Sequence, residues 1–183
     1  MEVIKNNFDL GIALSGGGAK GFAQKGEKAL ELIEKRPMRN DANQVNPALN
    51  EKGLYPEILS GTSAGAFAGV LYADGHSPEE ILTFFQNKGF KEFAEFTIPQ
   101  GGFFKSHGFQ SFLKKHLRAR TFEELKIPLR VVATDIELGQ SKIFSSGPLI
   151  PAVIASCSVP IIFTPVEIDK HYYVDGGLFK NFP

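Results

Sequence analysis

Apolar residues along the chain come as short unbroken runs alternating with stretches of helical spacing, and that alternation predicts strands and helices in turn. Residues 9–15 (DLGIALS) are such a run, leading into three glycines, and Phe22, Ala29, Leu32 and Ile33 then recur at helical spacing. A strand, a glycine turn and a helix are expected. Residues 57–62 (EILSGT) predict a second strand that passes straight into the helix AGAFAGVLYADG, which stops at Gly75. Ser77-Pro78-Glu79-Glu80 opens another helix, with serine at the N-cap, proline at the first helical position and glutamate in the first turn. A helix over about 107–117, a buried strand over 129–135 (LRVVATD) and a turn at 137–140 leading into KIFSS follow. A helix over 148–157 and a strand pair over 166–174, folded around Asp169-Lys170, complete the series. Strands alternating with helices predict an α/β domain with a mostly parallel sheet covered on both faces.

Two stretches break the pattern. Residues 36–53 are polar and aperiodic with two prolines, and they are far longer than an ordinary helix-to-strand connection, so they read as an insertion. Residues 90–112 are rich in phenylalanine and interrupted by Gly101 and Gly102. An apolar lid or acyl-chain wall and a core helix packed on the sheet are both open readings of that stretch.

The length of 183 residues suits one domain over 1–183 with one substantial core. Twenty basic residues balance twenty acidic ones without a long run of either sign, which removes the electrostatic footprint of a nucleic-acid binder. Cys157 is the only cysteine, so it has no intramolecular disulfide partner and no cysteine or histidine at metal-ligand spacing; it reads as a small core residue. The polar N-terminus carries no apolar segment behind a basic start, and no run of about 18 apolar residues occurs. A cytoplasmic location, without signal peptide or transmembrane segment, is expected.

Candidate chemistry sits at three glycine-rich turns. Residues 16–21 (GGGAKG) join the first strand to the first helix, where backbone N–H groups and the positive helix end converge to make an anion site. The same residues fit the dinucleotide pattern G-x-G-x-x-G. That reading requires an acid at the end of the next strand, which instead ends in Ser60-Gly61-Thr62-Ser63. The phosphate-loop pattern fails as well, since Lys20 is followed by Gly21. Gly61-Thr62-Ser63-Ala64-Gly65 matches G-x-S-x-G between a predicted strand and a predicted helix, the context of a nucleophile turn that forces its serine toward solvent. Gly61 and Gly65 would supply the room such a sharp turn needs; a merely capped turn is the bland alternative.

Ser63 needs a base. No histidine follows His171, so the usual order of serine, acid and histidine cannot be completed after it, and His76, His107 and His116 lie in polar or helical segments without a catalytic setting. Asp175, at the end of a strand and before Gly176-Gly177, offers an unobstructed carboxylate. Asp135 competes from the end of another strand, where Ile136 and Glu137 crowd it and it can serve the following turn. His171 is four residues from Asp175 on the same strand face and can hydrogen-bond nearby without catalysing anything.

The order GGGAKG, GTSAG, DGG (residues 175–177), together with ATD at 133–135, AVIASCSVPIIFTPV at 152–166 and the ending DGGLFKNFP, resembles the patatin-like phospholipase family over nearly the whole chain apart from the insertion. The resemblance implies a three-layer α/β/α sandwich that hydrolyses acyl esters of phospholipids or related lipids through a Ser-Asp dyad and an acyl-enzyme. Carried onto this sequence, Ser63 is the nucleophile, Asp175 its partner, and Gly16, Gly17 and Gly18 the oxyanion hole; the Ala64 N–H, next to the nucleophile, is a further candidate donor. Peripheral membrane contact accompanies such a substrate, and no cofactor or metal is called for. The chain departs at Gln24, where many members carry histidine, in the 36–53 insertion, and in ending at Pro183, so a shortened C-terminus is part of the expectation. An inactive scaffold or binding module that has kept the fold, and a nucleotide-binding protein using the 16–21 turn, are the alternatives.

Overall fold

The alternation in the sequence is realised as a single mixed sheet with helices against it. The computed structural model of the chain describes residues 11–14, 56–86 and 107–178. The first helix expected after the glycine turn and the 36–53 insertion lie outside them. In chain order the elements are β1 (Gly11–Leu14), β2 (Ile58–Thr62), α1 (Ala64–Ala73), α2 (Pro78–Gln86), α3 (His107–His116), β3 (Leu129–Asp135), β4 (Gln140–Phe144), α4 (Leu149–Cys157), β5 (Val166–Ile168) and β6 (His171–Asp175).

The strand order is β1-β2-β3-β6-β5, with β4 also paired to β3. β1, β2 and β3 run parallel, β4 and β6 run against β3, and β5 runs against β6. Four of the six strands therefore share one direction, which is the expected α/β architecture with a mostly parallel central sheet. Residues 131–135 of β3 are all buried although alternate side chains leave a strand on opposite faces, so the sheet is covered on both sides. Asp169 and Lys170 join β5 to β6 with φ of 51° and 67°, the two left-handed residues of a tight hairpin turn.

Register explains how distant motifs meet. β4 pairs residues 131–135 along one edge of β3. On the other edge β2 pairs as far as Thr62 opposite Val132, and β6 comes in from the opposite direction to end with Asp175 opposite Ala133. The C-terminal ends of β2 and β6 thus face each other across one step of β3.

α1 is buried on nearly every side, as an apolar helix between a sheet and other helices must be. Phe67 projects from it against Phe109 and Phe112 of α3 at ring-centroid distances of 5.7 and 5.6 Å, and Phe109 also meets Phe163. Phe109 thus joins the core and Phe112 packs partly buried against it, both against α1 where the core reading expected packing on the sheet; residues 90–106 lie outside the described residues. The predicted capping box is present before α2: the Ser77 amide donates to Glu80 Oε2 at 2.8 Å and the Glu80 amide to Ser77 Oγ at 3.2 Å. Ser77→Ala should lower stability by about 1 kcal/mol without touching the sheet, a loss readable in a denaturant melt.

Candidate active site

Ser63 stands between the end of β2 and the start of α1 with φ 56° and ψ −126°, a left-handed backbone that a serine adopts only under constraint. The turn is sharp because α1 folds back over the strand: a Cβ on Gly61 would lie 2.6 Å from Ala66 Cα. Ser63 occupies the N-cap, and its carbonyl accepts the first helical bond from Phe67 N at 3.1 Å, yet its hydroxyl caps nothing. The side chain is therefore free for other chemistry. It is not solvent-facing as expected from the motif, for Ser63 is 2% exposed, closed in at the junction of β2, β6 and α4.

Asp175 closes β6 under equally tight backbone control. Its amide donates to Ser158 O at 2.9 Å and its carbonyl accepts from Thr134 Oγ1 at 3.0 Å. The carboxylate splits its duties: Oδ1 accepts from Gly177 N at 2.7 Å, while Oδ2 is buried without a hydrogen-bond partner. Ser63 Oγ is likewise buried and unpartnered. Burial pushes the Asp175 carboxyl above the ordinary aspartate range, and the Ser63 hydroxyl and Gly177 amide oppose that shift. The register of β2 and β6 brings Ser63 and Asp175 to the same strand junction, with no completed hydrogen bond between the hydroxyl and the carboxylate.

Gly176 is what lets the strand ends come so close. A Cβ there would stand 2.3 Å from Val132 O and 3.0 Å from Thr62 Cγ2. The glycine that reads as half of an Asp-Gly turn in the sequence is a packing requirement of the β2–β3–β6 junction.

Asp135, the rival acid, is occupied elsewhere. Its Oδ1 accepts from the Glu137 and Leu138 amides at 3.0 Å each, shaping the turn that follows β3. The Leu138 amide foremost, with the Glu137 amide and His171, holds its carboxyl below the usual range against the opposing effect of burial. His171 faces this cluster: its Nδ1 lies 3.1 Å from Asp135 Oδ2 and 3.3 Å from Glu137 Oε2. These three residues could hold a metal ion, with their ligand atoms within 4.8 Å of one another. Sequence reading missed the grouping because Glu137 and His171 are brought together only by the β3–β6 pairing.

His76 and His116 belong to a structural joint. His76 Nε2 lies 3.0 Å from His116 O, and the neighbouring Asp74 carboxylate accepts from the Arg118 and Ala119 amides at 3.0 and 2.9 Å, tying the end of α1 to the end of α3. His107 opens α3. Of the proposed oxyanion donors, Ala64 begins α1, so its N–H has no carbonyl one turn earlier within the helix; Gly16, Gly17 and Gly18 lie outside the described residues. Gly65 is buried in the first turn of α1. The residues that hold both Ser63 and Asp175 come from an unexpected place, the Ser156-Cys157-Ser158 end of α4. No helix among the described residues is long and apolar enough to cross a membrane.

The family model described as Patatin-like phospholipase matches residues 12–183. Patatin-like phospholipase domain-containing protein 7 of Mus musculus is 30% identical over 182 residues, which are 95% of this chain and 12% of that protein. The Uncharacterized NTE family protein Rv1063c of Mycobacterium tuberculosis is 28% identical over 177 residues, 94% of this chain and 43% of its own length. The chain therefore spans less than half of these relatives. VipD from Legionella pneumophila is similar in fold, with a TM-score of 0.59 at 17% identity over 95% of this chain and 47% of that structure.

Proposed function

The chain belongs to the patatin-like phospholipase family, and from that premise we propose that it is a lipid acyl hydrolase in which Ser63 attacks the ester carbonyl and Asp175 is its base. The observation that carries the reading is the meeting of two strand ends at Val132 and Ala133, which sets a strained, uncapped serine beside a buried carboxylate oxygen with no other partner.

As Ser63 Oγ bonds to the carbonyl carbon, its proton passes to Asp175 Oδ2 and the carbonyl oxygen becomes an oxyanion. The Ala64 N–H at the positive end of α1, joined by the amides of Gly16, Gly17 and Gly18, stabilises that charge; each well-placed donor is worth about 3 kcal/mol. Collapse breaks the bond to the alcohol, which leaves with the proton from Asp175. Water then attacks the acyl-serine with Asp175 again taking a proton, and its return to Ser63 Oγ frees the fatty acid. An ordinary aspartate is a weak base at neutral pH, so the upward push of burial on Asp175 works in favour of this role, whereas the downward shift of Asp135 works against that residue.

The test is release of free fatty acid from a phospholipid and a lysophospholipid dispersed in detergent, read against pH. Activity requires the ionised Asp175, so kcat/KM should fall on acidification with a midpoint above the ordinary aspartate value of about 3.9. The same acid limb should persist in His171→Gln. A limb that disappears in that variant identifies histidine as the base and contradicts the proposal.

A further inference from the structure

We propose that Ser156 is a positioning residue for the reaction, fixing the strained backbone of the nucleophile through its side-chain hydroxyl; this rests on the reading of Ser63 given above. Ser156 is fully buried near the end of α4, 93 residues from Ser63 in the sequence. Its Oγ accepts a hydrogen bond from the Ser63 amide at 2.9 Å and donates one to Val132 O at 2.6 Å. A hydroxyl has a single hydrogen to give, and here it is committed to Val132, so a lone pair is left facing the Ser63 N–H.

The position of that bridge is what gives it a part in the chemistry. Val132 is the β3 residue opposite Thr62, and its carbonyl is also the atom against which Gly176 packs. Ser156 therefore ties the nucleophile to the one point of the sheet where β2 and β6 meet. Its neighbours reinforce the hold: Cys157 Sγ donates to Ser63 O at 3.1 Å, and Ser158 O accepts the Asp175 amide at 2.9 Å. Burial and the charge on Asp175 push the Cys157 thiol well up, so it stays protonated and keeps its donor. Ser156 and Cys157 at the end of α4 and the C-cap Ser158 thus grip the backbone of Ser63 on both sides and the backbone of Asp175. None of them occupies Ser63 Oγ or Asp175 Oδ2, which are left for substrate and proton transfer.

Without the Ser156 acceptor, the Ser63 amide loses its buried partner, and a left-handed serine has a strong preference to relax toward ordinary backbone. Such relaxation moves Oγ relative to Asp175 and to the oxyanion donors while leaving the substrate site in place. Ser156→Ala should lower kcat about 10- to 100-fold with KM within about twofold of wild type, and should slow modification of Ser63 by a fluorophosphonate by a similar factor. Ser156→Cys, which fills nearly the same space with a weak acceptor, should show the same pattern and serves if the alanine variant does not fold. Val153→Ala, a core truncation in the same helix, should lower Tm without either kinetic effect. Wild-type kcat and labelling rate in a folded Ser156 variant, or losses in Val153→Ala that match those of Ser156→Ala at equal Tm, would overturn the positioning role alone. A wild-type protein that the fluorophosphonate does not label overturns the nucleophile assignment and this proposal with it.

Discussion

Asp175→Asn is expected to lower kcat/KM for a fatty-acyl ester by about 10³-fold or more while leaving the protein at least as stable as wild type at neutral pH. Both halves of the expectation come from the same burial. Asparagine keeps an oxygen to accept the Gly177 amide and leaves the backbone bonds to Ser158 and Thr134 untouched, so the strand end keeps its place. What it loses is the ability to take a proton from Ser63. The folded state raises the Asp175 pKa, so any stability linked to this group is fully present below its unfolded value and is lost as pH rises through the folded one. At neutral pH the ionised side chain is a liability that asparagine removes. Tm of Asp175→Asn should therefore equal or exceed that of wild type at pH 7, with the difference vanishing at acid pH. Loss of activity accompanied by a large fall in Tm at pH 7 would assign Asp175 a structural role instead.

Gly176→Ala should cost about 10²-fold or more in kcat and about 1–3 kcal/mol in stability. The atom that the new Cβ meets is the Val132 carbonyl oxygen, at 2.3 Å, with its carbonyl carbon at 2.8 Å. Backbone in the middle of a buried strand cannot step aside as a flexible side chain does, so β6 has to move away from β3. Asp175 precedes the substituted residue and moves with it, while Ser63 stays with β2. The chemistry is expected to suffer more than the fold, because a shift of about 1 Å is tolerable in packing terms and ruinous for proton transfer. A variant with wild-type kcat would mean that the β2–β6 junction does not set the geometry of the reaction.

Local signals in the sequence translate well. The runs that predict β2 and β3, the glycine-flanked turn at Ser63, the capping box at Ser77 and the hairpin around Asp169-Lys170 all depend on contacts within a few residues, and all are present. Pairing between distant segments is a different matter. Nothing in HYYVD announces that β6 lies antiparallel to β3 and meets β2 end to end, since alternation fixes which face a residue occupies and not which strand lies beside it. The close fit of Gly176 against Val132, the grouping of Glu137 and His171 with Asp135, and the reach of Ser156 to Ser63 are all consequences of that pairing. The motif at Ser63 suggested a serine held toward solvent, whereas Ser63 is buried, its backbone bonded to Ser156 and Cys157 at the end of α4. Ser156 lies in a stretch that carries the family resemblance, yet an apolar helix with a serine on one side is an ordinary pattern and nothing in it marks that serine as the partner of Ser63.

The central claim, that Ser63 is an activated nucleophile, is tested most directly by treating the full chain with a fluorophosphonate and locating the adduct by peptide mass spectrometry. The account predicts a single phosphonylated site at Ser63 in wild type, and its loss in Ser63→Ala and Asp175→Asn. An adduct on another residue, or labelling of Ser63 at an unchanged rate in Asp175→Asn, contradicts it.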